Sequence, residues 1–257
     1  MIRGLVVQLQ VIHALILREI KSRFGEHRLG YIWALLQPVM MIGIFATMFH
    51  FLGRSPIAGM AILPFLVSGF GTFYAYSSTM ARTVSAIDAN RALLFYPRVR
   101  PADLLFGRFI LEFATYTCVM TILLLGAIYI EGDTLTPDVL QIALALLLAC
   151  TLGGGLGSVL CGLSVFFPAL QRLYGPLLRP MFWASGLFYS VNNLPSHARH
   201  IVLYNPVLHC VEYCRAGIYP GYHPYGIEPT YPALWALALW FVGLTLERVA
   251  RRHVDMT

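Results

Sequence analysis

The sequence predicts an all-α membrane protein, and three observations carry that reading. Of 257 residues, 58% are hydrophobic and only 12% are charged, against about 25% charged in a soluble domain. Apolar stretches long enough to cross a bilayer, for which about 20 residues suffice, recur along the chain. Lys and Arg gather between alternate stretches, as they do on the cytoplasmic side of a membrane.

The elements follow in order. Leu9, Ile12, Ile16, Ile20 and Phe24 advance in steps of three and four, which predicts an N-terminal amphipathic interface helix; Val7, Val11 and Leu15 fall off that stripe. Gln8, Gln10 and His13 interrupt the apolar N-terminus and no A-x-A site follows, so the segment is expected to be retained rather than cleaved. Arg18, Lys21, Arg23 and Arg28, relieved by Glu19 and Glu26, then precede the first apolar run. Gly25 and Gly30 bracket an expected bend, and Trp33 lies about one turn inside the interface, a favourable depth for an indole. Six transmembrane helices are expected: Tyr31–Leu52, Ala58–Ala81, Leu104–Ile130, Val139–Phe167, Tyr174–Val191 and Tyr231–Leu246. Arg108 and Glu112, one turn apart, are expected to pair near the inner interface, while Pro176 and Pro180 mark the fifth span as a broken helix.

Placing both termini in the cytoplasm puts fifteen of the eighteen Lys and Arg residues there, leaving only Arg54, Arg199 and Arg215 outside. The last outer loop, Asn192 to Thr230, is long. It holds Ile201–Leu208 and Val211–Ile218, each too short to cross, so re-entrant outer helices separated at Asn205 and Pro206 are expected between spans five and six. No repeat or composition shift divides the chain, which reads as a single domain over 1–257.

Several chemistries lack support. Cys118, Cys150, Cys161, Cys210 and Cys214 are odd in number and three lie in apolar runs, so no disulfide framework follows. Cys210, Cys214 and His209 have poor spacing for a metal site. Gly153, Gly154, Gly155, Gly157 and Ser158 look like a phosphate loop, but no Lys follows, and close helix packing explains them better. No G-x-x-x-x-G-K-[ST] sequence is present, so no cofactor is expected here; ATP and Mg are expected on a partner subunit. The net charge of +6 lies mostly at the flanks of apolar spans, which points to membrane lipids rather than nucleic acid. One alternative is an ATP-independent membrane transferase with His197, His200, His209 or His223 as base, although none has an acid at orienting spacing.

Two stretches say more. Arg18, Lys21, Arg23, Phe24, Leu29, Gly30, Trp33, Leu36 and Pro38 follow R-x-x-K-x-R-[FY]-x-x-x-x-L-G-x-x-W-x-x-L-x-P, and N-R-x-L-L-x-Y-P-R-V-x-P begins at Asn90. Both resemble the ABC-2 family of export permeases, in particular those of capsular-polysaccharide and O-antigen exporters. The resemblance implies the permease subunit of an ATP-driven exporter of lipid-linked polysaccharide in the bacterial inner membrane, without enzymatic activity of its own. It implies a homodimer bound to two nucleotide-binding ATPase subunits, with periplasmic and outer-membrane export components beyond. O-antigen, teichoic-acid and drug export stay open. Under the resemblance, Ala86–Leu93 forms the coupling helix, with Asp88, Asn90, Arg91 and Leu93 contacting the ATPase. Arg18, Lys21, Arg23, Phe24, Arg28 and Trp33 are the candidate residues for a lipid headgroup at the substrate entrance. Phe45, Phe49, Phe70, Phe73 and Tyr74 are candidates for the translocation path, since aromatic rings stack on sugars, although such rings equally pack against lipid or each other.

Overall fold

The computed structural model describes residues 2–24, 29–53, 60–93, 96, 99–132, 135–172 and 174–254, and every regular element among them is helical. The helices are α1 (Ile2–Phe24), α2 (Leu29–Phe51), α3 (Ile62–Val84), α4 (Pro101–Glu131), α5 (Val139–Ser164), α6 (Tyr174–Ala184), α7 (Ser196–Val202), α8 (Pro206–Ile218) and α9 (Thr230–Val254). Short 3-10 turns occupy Asp88–Leu93, Pro168–Arg172 and Val191–Asn193. The expected bend at Gly25 lies outside the described residues.

Local chemistry explains the boundaries. Pro101 opens α4 where no amide donor is needed, and Asp103 accepts a 3.0 Å hydrogen bond from the Arg100 amide. Gly132 closes the same helix at φ 68°, a left-handed conformation. Asp138 caps α5 by accepting from the Gln141 amide, and Asn205 caps α8 by accepting from Val207 just before Pro206.

Four helices are long and apolar enough to cross a membrane, at 32–51, Pro101–Glu131, Val139–Ser164 and 230–249. They correspond to the expected first, third, fourth and sixth spans. The second, α3, has 23 residues, roughly 34 Å of helix, but falls short in apolarity. The reason is burial in protein: 18 of its residues are buried, and Ser68, Thr79 and Thr83 return their hydroxyls to its own carbonyl oxygens at 2.7 Å. The fifth, α6, stops after 11 residues, about 17 Å, well under a hydrocarbon core of about 30 Å. The chain then turns through Gly186, at φ 74°.

At the centre lies α5, with α3 on one side and α9 on the other. A methyl on Gly153 would fall 2.2 Å from the Tyr76 carbonyl oxygen, and one on Gly157 would fall 2.7 Å from that of Met80. On the opposite side Gly154, Gly155 and Gly162 face Trp240, Leu239 and Leu246 at 2.8–2.9 Å. The glycine run is thus a packing surface for two neighbouring helices, as small residues provide in membranes. Trp240 seals the α9 contact by donating its indole N–H to the Thr151 carbonyl at 2.9 Å.

Helix α1 lies against α4. Its half-buried positions include Val11, Ile12, Leu15, Ile16, Glu19 and Ile20, a wider stripe than expected. Val11 and Leu15 belong to the contact face because Gly107 lets the helices approach, with Leu15 and Ile16 at 3.8–3.9 Å from where its Cβ would be.

Replacing Gly157 by Leu is expected to destabilise the protein by roughly 1–3 kcal/mol or more, read as a lower unfolding temperature in detergent. Gly126→Leu is the control, because nothing lies within 4 Å of a side chain added there. Equal stability of the two variants would refute the close α3–α5 contact.

Candidate functional site

An open groove of about 490 Å³ runs beside α3. From α3 it is lined by Phe73, Tyr74, Ser77, Ser78, Ala81, Arg82 and Ser85, from α2 by Gln37, from α4 by Tyr116 and from α6 by Tyr174 and Leu178. The α3 positions form one helical stripe, with steps of three and one. Six lining residues carry hydroxyls, so the groove offers hydrogen-bonding groups of the kind a carbohydrate uses, while Phe73, Tyr74 and Tyr116 border it as largely buried rings.

The expected path residues divide between this groove and the interior. Phe73 and Tyr74 line it. Phe70 is completely buried, and Phe49 nearly so. Phe45 packs on Phe70 at 5.5 Å and on Phe188 at 4.5 Å, and Phe70 meets Phe182 at 5.9 Å. These rings fasten α2 and the end of α6 onto α3. The polar lining residues Tyr74, Ser77, Ser78, Arg82 and Ser85 form a stripe legible in the sequence, in a span of low apolarity.

At the end bearing the loop after α3, α1 is tied to that loop and to α4. Arg18 donates to the Asn90 side-chain oxygen at 3.0 Å, while Asn90 donates to the Ala86 carbonyl at 3.0 Å. Gln8 donates to Asp103. Arg108 meets Glu19 at 3.3 Å, donates to Ser85 Oγ at 3.0 Å and also reaches the Arg82 carbonyl. Arg108 and Glu112, which interact electrostatically, do not form an isolated pair: Glu19 also meets Arg108, and Glu112 lies 3.9 Å from Arg82 Nε. Docking of α1 supplies the partner, Glu19, that sequence spacing cannot reveal.

Arg18 and Asn90, assigned separately to the entrance and to coupling, are thus directly bonded. Asn90 is buried and breaks the helical path at φ −126°, while Asp88 is exposed and Leu93 half-buried. Lys21 is exposed and Trp33 is 63% exposed on α2. The side chains of Arg23, Phe24 and Arg91, and all of Arg28, lie outside the described residues.

The opposite end is built on an ion pair. Arg215 and Glu212, one turn apart on α8, are both 0% exposed and meet at 2.8 Å. Arg215 also donates to the carbonyls of Gly186 at 2.9 Å and Tyr189 at 3.3 Å and to Ser68 Oγ at 3.3 Å, with its guanidinium 3.9 Å from the centre of the Phe65 ring. Glu212 accepts from the Val191 amide at 3.0 Å and from the Tyr222 hydroxyl at 2.6 Å. Burial first, and the Glu212 carboxylate second, push the Tyr222 phenol above its ordinary range, which keeps it a donor. This cluster fastens residues 186–222 onto α3. Its sequence signal is a Glu and an Arg three apart inside the apolar run Val211–Ile218. The two short helices expected in this loop appear as α7 and α8 with the break at 203–205; both start five residues earlier than expected, and Asn205 with Pro206 sets the start of α8.

His209 is not poised as a base. Its Nδ1 accepts from the Glu228 amide at 3.2 Å, which leaves Nε2 to donate to the Leu203 carbonyl at 2.9 Å. Cys210 and Cys214 are fully buried, and among the described residues no three metal-ligating groups lie together.

Apolar helices around a hydroxyl-rich groove, with a polar loop latched at one end, have the organisation of a membrane transport subunit. The chain belongs to the ABC-2 type transporter family, which it matches over residues 10–219. It is 33% identical over 249 residues to the polysialic acid transport protein KpsM of Escherichia coli, with 95% of each chain covered. It is 30% identical over 252 residues to the capsule polysaccharide export inner-membrane protein CtrC of Neisseria meningitidis serogroup B, covering 98% of this chain and 95% of the relative. To BexB of Haemophilus influenzae, also a capsule polysaccharide export inner-membrane protein, it is 29% identical over 218 residues, covering 84% and 82%.

Arg215→Met leaves Glu212 buried without its cation and is expected to cost about 3–5 kcal/mol of stability. Glu212→Gln combined with Arg215→Met is expected to cost less, because the uncompensated charge is gone. Thermal unfolding of the three proteins measures both effects, and a single variant as stable as wild type would contradict the buried pair.

Proposed function

We propose that this chain is the membrane-spanning permease of an ATP-driven exporter that carries lipid-linked capsular polysaccharide across the bacterial inner membrane. The observation that carries this reading is its correspondence, over 95% of both chains, with a polysialic acid transport protein. The hydroxyl-lined groove supports it, since it offers hydrogen bonds along a path of sugars.

In this reading the chain is one domain with both termini cytoplasmic. It crosses the membrane six times: α3 crosses inside the protein, the broken α6 reaches across with the turn after it, and α7 and α8 re-enter from the outer face. Two copies form the channel, and two ATPase subunits carrying ATP and Mg supply the work. Asp88, Asn90, Arg91 and Leu93 receive the movement of the ATPase, which then passes through rigid-body shifts of the helices they precede. Arg18 ties α1 to the same segment, so α1 and its basic face move with it and open the entrance beside Trp33.

Deleting the gene is expected to abolish surface polysaccharide while polysaccharide accumulates inside the cell; undiminished surface polysaccharide would refute the assignment. Arg91→Glu and Arg18→Gln are both expected to lower transport several-fold with insertion intact, whereas Arg172→Gln, at an exposed position outside the groove, stays near wild type. Equal export by all three would detach α1 from coupling. A cysteine at the exposed position His197 is expected to react with an impermeant maleimide from outside, and labelling only from the cytoplasm would overturn the orientation.

A further inference from the structure

We propose that Arg82 is an anion-recognition residue of the groove, binding an oxyanion of the translocated glycan: a sugar carboxylate or the phosphate of its lipid linker. The proposal rests on the exporter reading above and adds a ligand chemistry to it. Three observations carry it. Among the described residues that line the groove, Arg82 is the single charged side chain; the rest are hydroxyls, one amide and apolar groups. Its side chain is 46% exposed, whereas that of the carboxylate behind it, Glu112, is 2% exposed and approaches through Nε at 3.9 Å. That contact uses Nε, and the two terminal nitrogens form the end-on fork that matches a carboxylate or phosphate in bidentate fashion. Ser78 lies one turn away in the same stripe with a hydroxyl able to donate to the same oxyanion, while Ser85 Oγ donates to the Arg82 carbonyl at 3.3 Å.

The arrangement also answers a physical difficulty. An acidic glycan passing between apolar walls loses hydration, and a fixed cation with neighbouring donors replaces part of it. A groove of hydroxyls alone would accept neutral sugars equally well. Arg82 therefore gives preference for an acidic chain or linker, and it stands at the last turn of α3, immediately before the segment assigned to coupling.

The test uses the full-length protein in zwitterionic phosphatidylcholine nanodiscs and measures binding of three probes: an oligomer of an acidic sugar, a neutral glucose oligomer of equal length, and glycerol phosphate. Wild type is expected to prefer the acidic oligomer. Arg82→Gln is expected to weaken it about tenfold or more, as loss of a charge-assisted pair does, with the neutral oligomer unaffected. Arg172→Gln, an exposed basic position outside the groove, is expected to bind as wild type. The Arg82→Gln/Glu112→Gln double variant separates recognition from mere neutralisation of Glu112, since loss of binding is expected to persist in it. Loss confined to glycerol phosphate assigns the site to the linker, and loss confined to the acidic oligomer assigns it to the sugars. Unchanged binding of both oxyanions by Arg82→Gln, or recovery in the double variant, overturns the proposal while leaving the exporter reading intact. A wild type that binds neither glycan nor phosphate overturns both.

Discussion

The close approach of α5 to α3 and α9 is the constraint on which the rest of the structure depends. Lipid tails and apolar side chains are alike to one another, so helix association in a membrane relies on contact geometry more than on hydrophobic burial. Gly153 and Gly157 let the α3 backbone settle against α5, and Gly154, Gly155 and Gly162 admit the side chains of α9. With α3 held inside protein on most of its surface, it can carry Ser, Thr, Tyr and Arg residues that a lipid-facing helix would not tolerate. The polar groove is a consequence of that freedom.

The two ends of the bundle use charge differently. At one, Arg215 and Glu212 are fully buried and their hydrogen-bonding groups meet carbonyls, an amide and hydroxyls, so the pair fixes the geometry of a segment that would otherwise be a long irregular loop. At the other, Glu19 meets Arg108 at 3.3 Å, Arg108 bonds Ser85 Oγ and the Arg82 carbonyl, and Glu112 lies 3.9 Å from Arg82, so a chain of partly exposed contacts reaches from α1 through α4 to the edge of the groove.

Much of this was legible in the sequence for identifiable reasons. Spans follow from apolar runs, so α2, α4, α5 and α9 fall where expected. The glycine run was read as packing because no lysine followed it. What escaped depends on tertiary contact. Arg215, counted among the few bases of an outer loop, is wholly buried because α8 folds inward beneath α3. Arg108 also meets Glu19, 89 positions away in the chain, a contact that spacing along the helix cannot show. Phe70 and Tyr74 share a helical face in the sequence, yet one is interior and the other lines the groove, because the aromatic side chains of α2 and α6 cover only part of that face. The polar stripe of α3 is a signal in the sequence that aromatic spacing alone does not carry.

An export permease must join a path for sugars to a site that receives force; if the groove is that path and the segment at Asn90 that site, as proposed, Arg82 and Ser85 stand between them. The most direct measurement is made in proteoliposomes holding this chain with its ATPase, supplied outside with ATP and lipid-linked capsular polysaccharide. The account predicts ATP-dependent passage of the glycan to the interior that is absent when either protein is omitted. Passage without ATP, or none with both proteins present and hydrolysing ATP, would contradict it.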